Sequence, residues 1–157
     1  MVKFLDVKPS VTLKEIEDIE NYAGLIFPKE YREHLLKFNG GRCDPNVFGF
    51  VQDGIKTESC VNWFLAAHEG KYDNLKDYIF TLKIDEKRMP THILPIADDP
   101  GGNQICVSCG VKDYGYMYFW DHENEVDYSI SDDDDYSNLH LIAKSFNEFL
   151  NGLTDGE

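Results

Sequence analysis

The densest chemistry in this sequence is carboxylate. Between Asp113 and Ala143 no lysine or arginine occurs. The acids of this stretch are Asp113, Asp121, Glu123, Glu125, Asp127, Asp132, Asp133, Asp134 and Asp135. Like charges at this density repel one another, so they destabilise the folded chain unless something offsets the repulsion. Two interpretations fit: a solvated loop, or an anionic face that mimics a phosphate backbone and occupies the basic groove of another protein.

Three patterns resemble metal sites, and each lacks a required part. Cys106 and Cys109 have CxxC spacing, but residues three apart on a strand point to opposite faces, and no second pair accompanies them. His122-Glu123 begins like a metalloprotease helix, yet Val126 stands where the second histidine is needed. The run 132–135 lacks the spacing and closing glutamate of an EF-hand, which leaves at most a weak adventitious calcium site. We predict reduced thiols, no metal and no cofactor.

A hydrolase would have to use Asp98, Asp99 and His122 as acid, base and orienting group. That chemistry requires the three side chains to converge within hydrogen-bonding reach. The sequence Asp99-Pro100-Gly101-Gly102 is, however, typical of a tight turn, and this explains its residues without catalysis. The acidic neighbours of His122 favour its protonated form, which suits a salt bridge as well as catalysis. We predict no catalytic residue and no enzymatic activity.

The overall charge narrows the range of partners. The 157 residues include 15 Lys+Arg and 29 Asp+Glu, a formal net charge of −14, which repels nucleic acid and anionic membranes. Such a surface either attracts a basic partner or simply keeps the protein in solution. The first residues lack the apolar core of a secretory signal, and no apolar run approaches the ~20 residues of a membrane helix. We predict a cytoplasmic protein that binds neither nucleic acid nor membrane.

Helical periodicity occurs in four segments. Thr12-Leu13-Lys14-Glu15 matches a capping box and starts a helix that ends at Gly24. Pro28 suits the first turn of a second helix, which ends at Asn39-Gly40-Gly41. Apolar spacing predicts two further helices, over residues 74–83 and, after a cap at Ser137, over residues 139–153.

Short apolar runs between turn residues predict the strands. The clearest form a meander over residues 93–97, 103–109 and 115–121, because the intervening turns have hairpin length. The aromatic run 116–120 has no polar face, so it is buried on both sides or presents one side to a partner. Further strands are predicted over residues 47–51 and 60–65, with an edge strand over 126–130. The sequence therefore predicts one α+β domain, residues 1–157, in which a mainly antiparallel sheet of five to six strands is flanked by about four helices.

Several segments, taken in order, resemble the SUKH superfamily of Smi/Knr type. Those that resemble its opening helices are Ile19-Glu20, Gly24-Leu25, Phe27-Pro28-Lys29-Glu30-Tyr31 and Phe38-Asn39-Gly40-Gly41. Those that resemble its central sheet are Leu94-Pro95-Ile96-Ala97-Asp98-Asp99, Gly102-Asn103-Gln104-Ile105-Cys106 and Phe119-Trp120-Asp121-His122-Glu123. Ser145-Phe146-Asn147-Glu148-Phe149-Leu150 resembles its closing helix. Each motif alone is weak, and their common order carries the resemblance.

The resemblance implies an α+β fold and, for small bacterial members, a role as a cytosolic immunity protein against a polymorphic toxin, often a nuclease. A regulatory adaptor that is not linked to a toxin is the alternative. We predict that a basic, nuclease-like toxin is the partner and that the Asp98-Asp99 turn, the end of the strand at Trp120 and the acid-rich segment share one rim. The residues expected to bind it are Asp98, Asp99, Trp120, Asp121, Glu123, Glu125, Asp127, Asp132, Asp133, Asp134 and Asp135.

Overall fold

Nine short strands and four α-helices make up the structure, a computed structural model that describes residues 2–156. In chain order they are β1 (Lys3–Leu5), α1 (Leu13–Ala23), α2 (Lys29–Lys37), β2 (Arg42–Asp44), β3 (Val47–Gln52), β4 (Ile55–Cys60), β5 (Trp63–Phe64), α3 (Leu75–Ile79), β6 (Ile93–Asp98), β7 (Gln104–Ser108), β8 (Met117–Trp120), β9 (Leu139–Ala143) and α4 (Phe146–Asn151). A π-helical segment, Phe80–Asp85, continues α3, and a short 3₁₀ turn, His122–Asn124, follows β8.

The predicted meander is the centre of the fold. Strands β5 to β9 form a five-stranded antiparallel sheet in sequence order, and β1–β2 and β3–β4 form two separate two-stranded pairs. All residues of β7 and β8 are buried, because apolar and aromatic side chains alternate to both faces of the sheet. The predicted α+β class with a mainly antiparallel sheet is confirmed.

The first face of the sheet packs against helices and the β3–β4 hairpin. Its side chains, such as Ile105 and Phe119, belong to the larger core cluster, which also includes Ile16 of α1, Tyr31 of α2 and Phe149 of α4. Aromatic rings hold the hairpin in place, since the Phe50 ring stacks on that of Phe119 at 4.3 Å between centroids.

The second face of the sheet has a smaller core of its own. Ile93, Cys106, Tyr118 and Trp120 pack there with Leu82 of the π-helical segment. Met89, Leu139 and partly buried tyrosines complete this cluster. The meander is therefore buried on both sides, and its second face is covered by chain segments that have little regular structure.

The first two helices follow from their local sequence. Thr12 and Glu15 form the predicted capping box, and Gly24 adopts the left-handed conformation (φ 72°) that ends α1. Pro28 precedes α2, whose Tyr31 and Leu35 are buried. None of the helices within residues 2–156 is long and apolar enough to cross a membrane.

Three predictions about elements are wrong. Residues 139–143 form strand β9 rather than helix, and the closing helix begins only after Ser145, whose hydroxyl accepts from the Glu148 N–H. The predicted edge strand over 126–130 is a turn, because the Asp127 carboxylate accepts from the Ser129 N–H and so competes with strand pairing. The predicted strand over 60–65 shortens to β5.

Strand β4 was not predicted, although its signal is present in the sequence. Asp53 and Gly54 both have positive φ (53° and 77°), the conformation of a two-residue hairpin turn. An Asp-Gly pair after a strand therefore indicates a second strand, and β4 pairs with β3 over its full length.

Candidate partner-binding surface

Residues 121–138, which we call the acidic loop, leave the sheet and return to it at one point. The Asp121 N–H donates to the Asn138 carbonyl (3.0 Å), and the Asn138 side-chain amide donates to the Asp121 carbonyl (3.1 Å). Between these joined ends the loop crosses the second face of the sheet, where Tyr136 packs edge-on against Tyr118 at 5.3 Å. The acid-rich segment is thus a fixed cover over a core rather than a free tail.

Arg88 fixes the first half of the acidic loop. Its guanidinium donates to both carboxylate oxygens of Glu125, with Nη2–Oε2 at 2.9 Å, and lies 5.2 Å from the ring centre of Trp120. The Trp120 indole N–H donates to the Arg88 carbonyl (3.1 Å), and the Tyr128 N–H donates to the Lys87 carbonyl (3.2 Å). The cation absent from the acidic segment therefore comes from the chain that precedes β6.

Thr91 and His92 fix the second half. The Thr91 N–H and hydroxyl both donate to the Asp133 carboxylate, and His92 Nε2 lies 2.5 Å from the Tyr136 hydroxyl. Because Thr91 and His92 immediately precede β6, this part of the loop lies at the end of the sheet opposite to Asp98.

A nearly buried carboxylate, Asp113, joins the loop to the β7–β8 connection. It accepts from the hydroxyls of Ser108, Tyr118 (2.7 Å) and Tyr136 (2.8 Å). Burial by itself raises the pKa of Asp113, but these three hydrogen bonds outweigh it and hold the pKa below the ordinary value. Asp113 is therefore an ionised internal anchor and is not available to a partner.

Three other acids shape the turns of the loop. The carboxylates of Asp127, Asp132 and Asp135 accept from the N–H groups of Ser129, Asp134 and Ser137 respectively, at 2.9–3.0 Å. Hydrogen bonds from Ser129 and Ser137 lower the pKa of Asp127 and Asp135. Each side chain replaces a backbone turn contact, so neutralising it alters the loop as well as its charge.

Glu123 and Asp134 differ from the other acids of the loop. Both are exposed, and within residues 2–156 the Glu123 carboxylate has no hydrogen-bond or ion-pair partner. Among the same residues, the Asp134 carboxylate has only Lys112 as an ion-pair partner, at 3.9 Å. Both side chains are more than three-quarters exposed, a geometry that contributes little to stability. Ile130, 85% exposed, adds an apolar side chain to the same loop. These residues are the ones that a partner can reach without disturbing the loop.

The predicted rim is present in part. In register, Asp98 lies beside Gln104, and Gln104 lies beside Trp120, so the β6 and β8 ends share one edge. Asn103 connects them, since it binds Asp99 and accepts from the His122 N–H (3.0 Å). The run 132–135 does not join this edge. Asp133 of this run is bound to Thr91, which precedes Asp98 by seven residues. Since this part of the chain is mostly extended, Thr91 lies about 20 Å from Asp98.

Trp120, Asp121 and Asp99 lie inside the protein. Trp120 is only 1% exposed, because Arg88 covers its ring. The ring is therefore not accessible for the predicted contact with a partner. Asp121 accepts from Gln52, the Glu123 N–H and Asn124, and these bonds outweigh burial and lower its pKa. The surface defined by geometry therefore excludes these three residues.

Asp98 and Asp99 do not form an acid/base pair. Asp98 accepts from the Trp63 N–H (3.0 Å), and burial raises its pKa to about 6. Asp99 accepts from Ser59, from the Gly101 and Asn103 N–H groups and from the Asn103 amide. Neighbouring residues along an extended chain point to opposite sides. The Asp98 carboxylate is bound to strand β5, and the Asp99 carboxylate holds the turn that follows β6.

The cysteines occupy separate environments. Cys106 lies in the core of the second face, whereas Cys109 packs against the core of the first, as the spacing on a strand predicts. Burial raises the pKa of Cys106, and raises that of Cys109 to about 12. Within residues 2–156 no three His, Cys, Asp or Glu side chains are grouped as a metal ion requires.

Two opening helices, an antiparallel meander and a closing helix define an α+β protein of the SUKH type. The sequence model of the SMI1 / KNR4 family (SUKH-1) matches residues 10–152, and the chain belongs to this family. It is also 32% identical to the SPbeta prophage-derived uncharacterized protein YokK of Bacillus subtilis (strain 168), over 94% of this chain and 77% of that protein. The resemblance inferred from the ordered motifs is confirmed.

The anchors of the loop, Arg88, Thr91 and His92, were not predicted. The only sequence signal for them was indirect: a segment without lysine or arginine needs cations and donors from elsewhere in the chain.

Proposed function

We propose that this protein is a cytoplasmic immunity protein that binds and neutralises a cognate toxin domain, a basic nuclease, through the acidic loop. The observation that carries the proposal is the anchored loop itself, which leaves Glu123 and Asp134 exposed, with no strong ion pair to either carboxylate from the part of the chain that the structure describes. A basic groove built for phosphates offers the complementary charge. Membership of the SUKH family, known for immunity proteins, supports the same role.

The fixed shape of the loop favours binding. A mobile acidic tail would lose conformational freedom when it docks, whereas a loop held by Arg88, Thr91 and Asp113 has already lost it on folding. The net charge of −14 adds a long-range attraction that raises the association rate with a basic toxin.

The test uses a purified toxin domain from a polymorphic-toxin gene found next to the gene for this protein. The dissociation constant of the complex between this protein and the toxin domain is measured by calorimetry at about 50 and 200 mM salt. Inhibition of the nuclease activity is the second readout. The double variant Glu123→Gln/Asp134→Asn should weaken binding about tenfold, because exposed charges contribute roughly 0.5–1 kcal/mol each. It should also reduce the salt dependence.

A matched control changes the same number of charges elsewhere. Glu17→Gln/Asp53→Asn neutralises exposed acids on α1 and in the β3–β4 turn and should leave the affinity almost unchanged. If both double variants weakened binding equally, the acidic loop would not be part of the interface. A wild-type protein that neither binds nor inhibits the toxin domain would overturn the immunity role and favour the regulatory adaptor instead.

A further inference from the structure

A second surface is a groove of about 830 Å³ between the β3–β4 hairpin and β9. Its walls include Val51 and Leu141, which are 56% and 42% exposed. Exposed apolar side chains that line one concave surface are typical of an interface. The proposed function uses none of these residues.

The floor of the groove has no side chain at its centre. Gly49 faces outward from the middle of β3, and a Cβ atom there would meet only the Thr57 carbonyl, at 3.7 Å. The fold therefore does not require glycine at this position. A glycine inside a strand is favoured where another chain approaches closely.

One side of the groove is formed by the last strand of the five-stranded sheet, β9. Its outer edge runs beside β3, where the Phe50 ring stacks on that of His140, but within residues 2–156 no strand pairing joins the two strands. The groove therefore lies where the hairpin and the sheet meet.

The charges of the groove differ from those of the rest of the protein. Its ionisable side chains are Lys56 and Glu58, which face outward on β4, cancel each other and have no ion-pair or hydrogen-bond partner within the described chain. On a protein with a net charge of −14, this is a surface where two copies can approach with little repulsion.

We infer that the groove is the interface of a symmetric dimer of this chain. In an isologous contact each residue of one copy meets the reciprocal residue of the other. Lys56 of one copy then pairs with Glu58 of the second, and the reverse, while Val51 and Leu141 of each copy fill the space above Gly49 of the other. The opposite charges two residues apart on β4 make the surface complementary to itself.

Charge exchange tests this arrangement. By analytical ultracentrifugation the wild type should show twice the monomer mass at about 0.1–1 mM protein, the range of a small interface. Lys56→Glu alone and Glu58→Lys alone each place like charges opposite each other and should give monomers. An equimolar mixture of those two variants should regain the doubled mass, because all of its cross-interface pairs are attractive.

Two further variants separate the interface from general effects. Gly49→Ala should leave the unfolding free energy nearly unchanged. It should weaken the dimer at least fivefold, because the added methyl group occupies the space above residue 49 that Val51 and Leu141 of the second copy would fill. Lys29→Glu, which changes the net charge as Lys56→Glu does but lies on α2, should leave the dimer intact. A wild type that stays monomeric, or a dimer that survives both single charge exchanges, would overturn the inference.

Discussion

Arg88 and Glu125 join two segments that lie 37 residues apart, through a two-pronged ion pair in which each side chain is only 31% exposed. The same guanidinium covers the ring of Trp120. One residue thus closes the second core and holds the acidic loop across it. Planar, two-pronged contacts of this kind are among the few ion pairs near a surface that contribute to stability.

Replacing Arg88 should measure that contribution. Arg88→Met keeps most of the apolar stem but removes the ion pair and the contact with the Trp120 face, so urea unfolding should show a loss of about 1–2 kcal/mol. Lys14→Met serves as the control, because the Lys14–Asp18 pair is 81% and 60% exposed and should change stability by less than about 0.5 kcal/mol. Equal losses in the two variants would show that the Arg88 pair contributes no more than an ordinary surface pair.

Asp113 should be more sensitive than any acid on the outside of the loop. In Asp113→Asn an NH₂ donor replaces one carboxylate oxygen, so either Ser108, which donates to Oδ1, or the two tyrosines, which both donate to Oδ2, lose their acceptor. The variant should therefore lose about 2–3 kcal/mol in urea unfolding. Tyr136→Phe, which removes one donor and keeps the carboxylate, should cost about 1 kcal/mol. A larger loss in Tyr136→Phe than in Asp113→Asn would contradict the central role of the carboxylate.

The pKa of Asp113 also predicts a pH dependence. Because the folded-state pKa lies below the ordinary value of 3.8, its contribution to stability is present above about pH 4 and is lost as the pH falls through the folded-state value. The wild type should therefore lose more unfolding free energy than Asp113→Asn between about pH 5 and pH 2. Parallel curves for the two proteins would rule out a depressed pKa at this residue.

The contrast between α1 and β9 shows how far local sequence determines the fold. Thr12, Glu15 and Gly24 specify the ends of α1 through hydrogen bonds to residues no more than four positions away, so the sequence predicts that helix well. In β9 the spacing of Leu139, Ile142 and Ala143 fits a helix equally, and only pairing with β8 makes it a strand. The choice between helix and strand at residues 139–143 therefore depends on tertiary contacts, which the local sequence does not show.

The candidate surface was predictable in its charge but not in its geometry. The acid-rich sequence predicts a charged segment, and its binding to a partner stays a prediction. Trp120 was expected to face a partner because a strand alone does not show what covers it. Asp133 is bound by Thr91, 42 residues earlier in the chain, so the opposite placement of the two acid clusters depended on contacts that no local pattern contains.

Asp98 should produce the opposite pH effect to Asp113. Burial raises its pKa to about 6, so the folded protein retains a proton that the unfolded chain releases, and stability falls as the pH rises from about 4 to 6. Asp98→Asn removes this slope while keeping an acceptor for the Trp63 N–H. Because the carboxyl is partly accessible to solvent, the variant should gain only about 1 kcal/mol relative to wild type between pH 4 and pH 7.

Urea unfolding at several pH values checks the Asp98 prediction, and Asp53→Asn, at an exposed turn, is its control. The stability difference between Asp98→Asn and wild type should change over this range by more than the difference between Asp53→Asn and wild type. An equal change in the two variants would contradict the raised pKa of Asp98.

The four thiols should react with Ellman's reagent in an order set by burial. Cys43 and Cys106 are buried, and burial raises the pKa of Cys43 and Cys109 to about 12, so few thiolates form there at about pH 8. Cys60 is partly exposed with a smaller rise in its pKa. One thiol should therefore react in the folded protein and all four after denaturation, and Cys60→Ser should abolish the single native reaction. Fast native reaction of Cys106 and Cys109 would instead indicate an accessible CxxC pair and would contradict their placement on opposite faces of the sheet.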